Sequence, residues 1–274
     1  MISILILTLN EEVNLPACLA SVAWSDDVVV FDSFSSDRTV EIARAYGARV
    51  EQRRFDNYAA QRNAALKGPF RHQWVLMMDA DEVVTDELHQ EVIEQIGQVS
   101  PDIDMFRMRR KDHLFGRWLR RSSGYPTWFQ RLFRVGHVWI EREINEEMYC
   151  NGGVLNLKSH FLHYPFNKGV AFWLERHNRY SSMEAIALTE EMQKPLQWHL
   201  LFSHDPVLKR KAQKQLAYRL PFRPVAVFVF LYFARFGCLD RYAGFTYCCL
   251  RSLYEYMIDL KIKELSRKAQ GMSV

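Results

Sequence analysis

Asp79 and Asp81 stand two residues apart just after an apolar run at 74–78, and Glu82 follows them directly. Carboxylates so placed suit a hard divalent cation, Mg²⁺ or Mn²⁺, which is typically bridged by one or two carboxylates and the phosphates of a substrate. Against a diphosphate such a cation neutralises the charge of a departing nucleotide. The same residues could instead cap a helix, because acidic side chains favour that position. Two further polar clusters share the setting. Thr8-Leu9-Asn10-Glu11-Glu12 follows the apolar run 2–7, and Asp32-Ser33-Phe34-Ser35-Ser36-Asp37 follows the run 27–31.

The elements that must position these clusters alternate in type. Residues 2–7 read as a strand buried on both faces, and 14–23 have helical spacing with Leu15, Leu19 and Val22 on one side. Residues 27–31 give a second strand and 38–46 a helix that Ser36 or Asp37 can cap and Gly47 can end. A short strand begins at Val50, a helix covers 57–66 and a fourth strand covers 74–78. This order predicts a doubly wound sheet, in which ligands bind beyond the carboxyl ends of the strands. All three clusters are therefore expected on one rim.

Beyond this half the pattern changes. Residues 102–149 are irregular, with short strands and many arginines, and 168–192 look helical. The stretch 209–223 carries Lys209, Arg210, Lys211, Lys214, Arg219 and Arg223 with no acidic residue. Apolar and aromatic residues follow to about Leu260, then a polar helical tail over 261–268. A basic stretch beside an aromatic one suits an anionic membrane surface, the inner membrane's cytoplasmic face. Its rival is a helical hairpin packed on the catalytic domain or on a second subunit in a homo-oligomer.

Composition narrows the classes. Of 274 residues 49% are apolar and 25% charged, enough for a real core, and a net charge of +4 is too weak to argue for nucleic acid. Five cysteines, an odd number without zinc spacing, point to a reduced, cytosolic compartment. Residues 1–9 lack the marks of a signal peptide, and the apolar run 225–234 is too short to cross a bilayer. No glycine-rich dinucleotide fingerprint, Walker loop or G-x-S-x-G elbow occurs, which disfavours dehydrogenase, P-loop and hydrolase readings.

The segments Ile4-Leu5-Ile6-Leu7-Thr8-Leu9-Asn10-Glu11-Glu12, Val29-Val30-Phe31-Asp32-Ser33-Phe34-Ser35-Ser36-Asp37-Arg38-Thr39 and Met77-Met78-Asp79-Ala80-Asp81-Glu82 together resemble glycosyltransferase family 2. The resemblance is to bacterial enzymes of lipopolysaccharide-core, capsule and exopolysaccharide assembly. It implies a GT-A fold and an inverting transfer from a nucleotide sugar, commonly a UDP-sugar. Thr8, Asn10 and Glu12 would line the nucleotide pocket, Asp32 would meet the base, and Gln61-Arg62-Asn63 would face the donor. Asp79 would lie near the ribose, and Asp81 would hold the metal with His163, rather than His160, as an added ligand. Inversion needs a base for the acceptor hydroxyl proton. Ile144-Asn145-Glu146 stands where the family carries a Val-His-Glu-like segment, so Glu146 is the candidate, with Glu143 and Glu147 as neighbours that leave the assignment open. Arg131, read from its residue type, could meet the diphosphate bidentately. His177-Asn178-Arg179-Tyr180-Ser181, also found in the related enzymes, would bind acceptor or pack between domains.

The expected architecture is α/β: a GT-A type doubly wound mixed sheet over 1–165, with a nucleotide-sugar half at 1–100 and an acceptor half at 101–165. A helical, membrane-associating region over 166–274 follows. The expected acceptor is a lipid-linked saccharide. Two rivals are a sugar nucleotidyltransferase, which usually shows a glycine-rich basic loop after its first strand, and a non-catalytic nucleotide-sugar-binding scaffold.

Overall fold

The apolar run near the N-terminus forms β1 (Ser3–Thr8), buried because it lies between two parallel neighbours, β2 (Val28–Asp32) and β4 (Trp74–Asp79). The computed structural model describes residues 1–141, 147–192, 198–202, 216, 218, 219 and 222–273. β3 (Arg49–Gln52) extends the parallel array beyond β2. Alternation along β1 sends Ile4 and Ile6 into one apolar layer, with Leu15, Cys18 and Leu19 of α1 (Leu15–Ser21) and Ala43 of α2 (Thr39–Ala45). Leu5 goes to the opposite layer with Ala59 and Ala65 of α3 (Tyr58–Ala65). Helices thus cover both faces, the doubly wound arrangement.

β5 (Glu82–Val84) and α4 (Asp86–Gln98) lead into β6 (Ile103–Leu114), β7 (Arg117–Trp118), β8 (Thr127–Arg134), β9 (Val138–Glu141), β10 (Glu147–Cys150) and β11 (Gly153–His163). The main sheet runs β3-β2-β1-β4-β8-β6-β11-β5, and β9 and β10 form a separate antiparallel pair. β8 is antiparallel to both β4 and β6, so the sheet is mixed. Residues 102–149 hold longer strands than their irregular sequence suggests, since β6 has 12 residues. The arginines hide the alternation because their stems and guanidinium planes pack as apolar groups do. Arg110 lies 4.1 Å over the Phe129 ring and Arg134 lies 4.5 Å over Trp74.

Contacts divide the chain into two units. One is Met1–His113 with Tyr125–Lys168; the other is Leu114–Gly124 with Gly169–Val274. The second unit is built on α5 (Val170–Met192), α6 (Arg223–Val229) and α7 (Arg241–Ala269). A single π-helical turn (Phe230–Ala234) and a 3₁₀ turn (Gly237–Asp240) close the hairpin between α6 and α7. Lys261 on α7 fastens α5 by reaching the Asn178 side-chain oxygen at 2.7 Å and the Ser181 and Ser182 hydroxyls at 2.7 and 2.8 Å. His177 stacks on Trp173 at 3.6 Å, and burial pushes its pKa down to about 4, so it packs as a neutral ring. Arg223, the last cation of the basic stretch, is buried in α6–α7 contact, 2.7 Å from Asp259 and 3.3 Å from Glu255. Residues 209–215, 217, 220 and 221 of that stretch lie outside the described residues. All five cysteines are free. Among the described residues no helix is long and apolar enough to cross a membrane.

Phe106 is fully buried in the first unit, 5.4 Å from the Trp74 ring. Phe106→Ala is expected to cost about 3–5 kcal/mol. A urea titration should show an earlier midpoint, and an unchanged midpoint would refute this assignment of the core.

Candidate functional site

Strand register brings the first two polar clusters together. Thr8 pairs with Asp32 across β1 and β2, and its hydroxyl donates to the Asp32 carboxylate at 2.9 Å. Asp32 is completely buried and also accepts from the Ser35 amide (2.9 Å), the Ser35 hydroxyl and the Gln52 amide (3.0 Å). Asn10, at φ 55°, turns back so that its side-chain oxygen accepts from the Ser36 amide at 2.8 Å. The Glu12 carboxylate accepts from the Arg38 amide at 3.2 Å, while the Glu12 amide donates to Asp37 at 3.1 Å. The two loops are therefore laced to each other along the strand ends. Glu11 pairs with Lys168 at 2.5 Å; burial nonetheless raises its carboxyl above the usual range.

The third cluster is not a helix cap. α4 starts later, capped by Thr85, whose hydroxyl accepts from the Leu88 amide at 3.2 Å. Instead Asp79 lies between two guanidinium groups, Arg62 at 3.1 Å and Arg131 at 2.6 Å. Arg131 also bonds Glu82 at 2.6 Å, and the Glu82 carboxylate accepts from the Asp79 amide at 3.0 Å. Burial would raise the Asp79 carboxyl, but Arg131 and then Arg62 outweigh it and hold it well below the carboxylate range. Burial pushes Glu82 up despite Arg131. Arg131, expected at the diphosphate, is thus engaged with two carboxylates. Of the segment 61–63, Arg62 meets Asp79, Gln61 donates to the Ser33 hydroxyl at 2.9 Å, and Asn63 turns away to bond the Ile140 backbone at 2.7 and 2.9 Å.

Asp81 faces His163, whose Nε2 lies 3.4 Å from its carboxylate; Nδ1 of the same ring lies 2.7 Å from Asp112. β11 makes this possible, pairing His163 with Glu82 on one side and Asp112 on the other. Burial opposes the imidazolium, but Asp81 and Asp112 draw its pKa up to about 9. A carboxylate and an imidazole of this kind could hold a divalent cation such as Mn²⁺. Asp81 and the Nε2 of His163 lie 3.4 Å apart, and Asp112 fixes the ring through its other nitrogen, as outer carboxylates do for metal-bound histidines. Among the described residues no group of three or more His, Cys, Asp or Glu is gathered for a metal. Phosphate oxygens would thus complete the shell, the usual arrangement for Mg²⁺. His160 lies elsewhere, its carbonyl accepting from the Thr85 hydroxyl at 3.2 Å.

Arg62, Asp79 and Arg131 border a cavity of about 380 Å³ with Arg110, Phe129 and Ile140. That volume lies in the range of small-ligand pockets, about 300–1,000 Å³. Glu143 and Glu146 lie outside the described residues, and Glu147 is placed only as the first residue of β10. Sequence reasoning missed Asp112 and Lys168, because the signal for each is a strand-register partner or a partner distant in sequence and not a motif.

Comparison with known proteins places this geometry in context. The model of the family described as glycosyl transferase family 2 matches residues 3–158. The lipopolysaccharide core biosynthesis glycosyltransferase LpsC of Rhizobium meliloti (strain 1021) is 25% identical over 213 residues, covering 74% of this chain and 77% of the relative. The uncharacterized glycosyltransferase RP128 of Rickettsia prowazekii (strain Madrid E) is 23% identical over 99% of this chain and 89% of its own. Among solved structures, the mannosyltransferase PcManGT from Pyrobaculum calidifontis, in complex with GDP-Man and Mn²⁺, has a TM-score of 0.55 at 14% identity. It covers 95% of this chain and 86% of that one, and this likeness of fold identifies the mixed sheet as GT-A type.

Two measurements test the network. Arg131→Met leaves the buried Glu82 without its guanidinium partner and Asp79 with Arg62 alone, and should destabilise the protein by about 3–5 kcal/mol, with part recovered when Glu82→Gln is added. Full additivity in that double-mutant cycle would contradict the pairing. For metal-free protein, the stability lent by protonated His163 is complete below its unfolded pKa of about 6.5. It is lost as pH rises through about 9. Urea unfolding across this window should show the loss, and His163→Gln should remove it.

Proposed function

The chain belongs to glycosyl transferase family 2, and from that premise we propose that it transfers a sugar, with inversion, from a UDP-sugar to a saccharide acceptor. The likeness to LpsC supports an acceptor of the lipopolysaccharide, capsule or exopolysaccharide class. The observation that carries the reading is the meeting of Asp79 and Asp81 with the laced loops after β1 and β2 on one sheet rim. Thr8, Asn10, Glu12 and Asp32 would shape the nucleotide side. Arg62 and Arg131 would supply positive charge beside the diphosphate while holding Asp79 toward the ribose. Asp81 and His163 would hold Mn²⁺ or Mg²⁺, which stabilises the charge of the departing nucleoside diphosphate. Glu146 would take the proton from the acceptor hydroxyl as it attacks the anomeric carbon. We place the reaction at the cytoplasmic face of the inner membrane, on a lipid-linked acceptor.

Calorimetric titration of UDP with and without Mn²⁺ is the direct test. Binding that requires metal and disappears in Asp81→Ala is expected; no UDP binding in either condition would refute the donor assignment. Glu146→Gln should lower kcat by about 10²–10⁴-fold with UDP affinity unchanged. Release of pyrophosphate would select the nucleotidyltransferase instead, and donor binding without turnover would select the scaffold.

A further inference from the structure

The closed end of the α6–α7 hairpin carries side chains that do not serve the core. Phe233, Phe236, Leu239 and Tyr242 are between 55% and 72% exposed, as is Phe115, whose ring stacks on Tyr242 at 6.0 Å. Monomeric proteins seldom expose a contiguous apolar patch of this kind without a use for it. The backbone strengthens the point. Phe115, Phe236 and Arg241 have φ values of 51°, 58° and 56°. That left-handed region suits glycine and is uncommon for a bulky residue. Strain of this kind is kept where the surrounding structure enforces it, and it is enforced here. Gly237 is buried, and a Cβ there would fall 2.6 Å from the Leu231 carbonyl oxygen and 3.2 Å from the Cys248 sulfur, so no larger residue fits. Asp240 accepts from the Arg121 and Ser122 amides and the Ser122 hydroxyl, each at 2.8 Å. Large apolar rings are thus held outward on a rigid base.

The charge around the rings selects the partner. Arg117, Arg120 and Arg121 are exposed on the loop that carries Phe115, Arg241 is exposed next to Tyr242 in the chain, and Arg235 is half-buried between Phe233 and Phe236 in sequence. The Phe115–Tyr242 stack and the Arg121 amide bond to Asp240 join the two segments. The acidic residue within 114–124 and 228–245 is Asp240, which is buried and already bonded. Exposed aromatic residues interspersed with arginines on two joined segments, neither of which exposes a carboxylate, match the boundary of an anionic bilayer. There the rings enter the acyl edge and the guanidinium groups meet lipid phosphates. We propose that residues 233–242, with residues 115–121, form a docking surface for an anionic lipid bilayer. The proposal deepens the reading of a lipid-linked acceptor, and it puts a membrane contact at the hairpin tip, to which the buried Arg223 of the basic stretch does not contribute.

Co-sedimentation of the full chain with phosphatidylcholine vesicles, with or without phosphatidylglycerol, tests this without donor or acceptor. Binding is expected with phosphatidylglycerol and should weaken as salt is raised. Phe236→Gly with Tyr242→Ser should reduce the bound fraction by about tenfold or more. Glycine suits the left-handed position, so this variant keeps the turn, and UDP binding measured in parallel should be unchanged. Arg117→Gln with Arg120→Gln should reduce binding by about fivefold per arginine. No vesicle binding at low salt would overturn the proposal, as would binding that both variants retain. Concentration-dependent dimerisation abolished by Phe236→Gly, in a chain that ignores vesicles, would assign the surface to a second copy. None of these results depends on whether the chain transfers sugar.

Discussion

Arg131 is a buried cation between two carboxylates, and the order of the rim depends on that pairing. A charge in this position is tolerated only when its partners are fixed, and its partners are tolerated for the same reason. Glu82 is almost closed to solvent and also accepts from the Asp79 amide, so the turn from β4 to β5 cannot relax independently of β8, which carries Arg131. Arg62 adds α3 to the same knot. Three elements are locked around one acidic turn, with Asp81 beside His163. Such fixed charges and dipoles need little rearrangement when a charged substrate arrives, which is how preorganised sites favour charge-separating reactions.

The parts that were legible in the sequence follow a physical logic. β1, β2 and β4 are buried on both faces, so each is written as an uninterrupted apolar run, and the polar residues after each run had to fall on one rim. The helix-cap alternative for Asp79 and Asp81 could not be dismissed until Thr85 was seen capping α4. β6 and β8 were obscured because arginine stems fill positions that an apolar residue would have marked. Asp112 was invisible for another reason. Its meaning comes from β11 lying alongside β6, a pairing of residues 51 apart that no local pattern encodes. Basic composition alone also misdirected the reading of Arg223, which neutralises Asp259 and Glu255 inside the helical unit.

Charge is used in opposite ways at the rim of the first unit and at the hairpin tip of the second. At the rim, Arg62 and Arg131 are paired with Asp79 and Glu82 and largely kept from solvent, where they set geometry. At the tip of the second, arginines stand exposed among apolar rings, and the local acid is consumed by backbone amides. The contrast explains why a formal charge of only +4 says little about either place.

The path of the chain has a genetic consequence. It leaves the first unit after His113, returns at Tyr125 and leaves again after Lys168, so the second unit is assembled from two separate stretches of sequence. Ser122 is fully buried, and its amide and hydroxyl depend on a carboxylate 118 residues further along. A C-terminal region exchanged between relatives by a single recombination near residue 168 would arrive without the loop that its Asp240 was shaped to hold. The resident loop would in turn lose its acceptor. Inheritance of this unit as a module therefore requires residues 114–124 to travel with it, which ties its drift to the middle of the catalytic sequence.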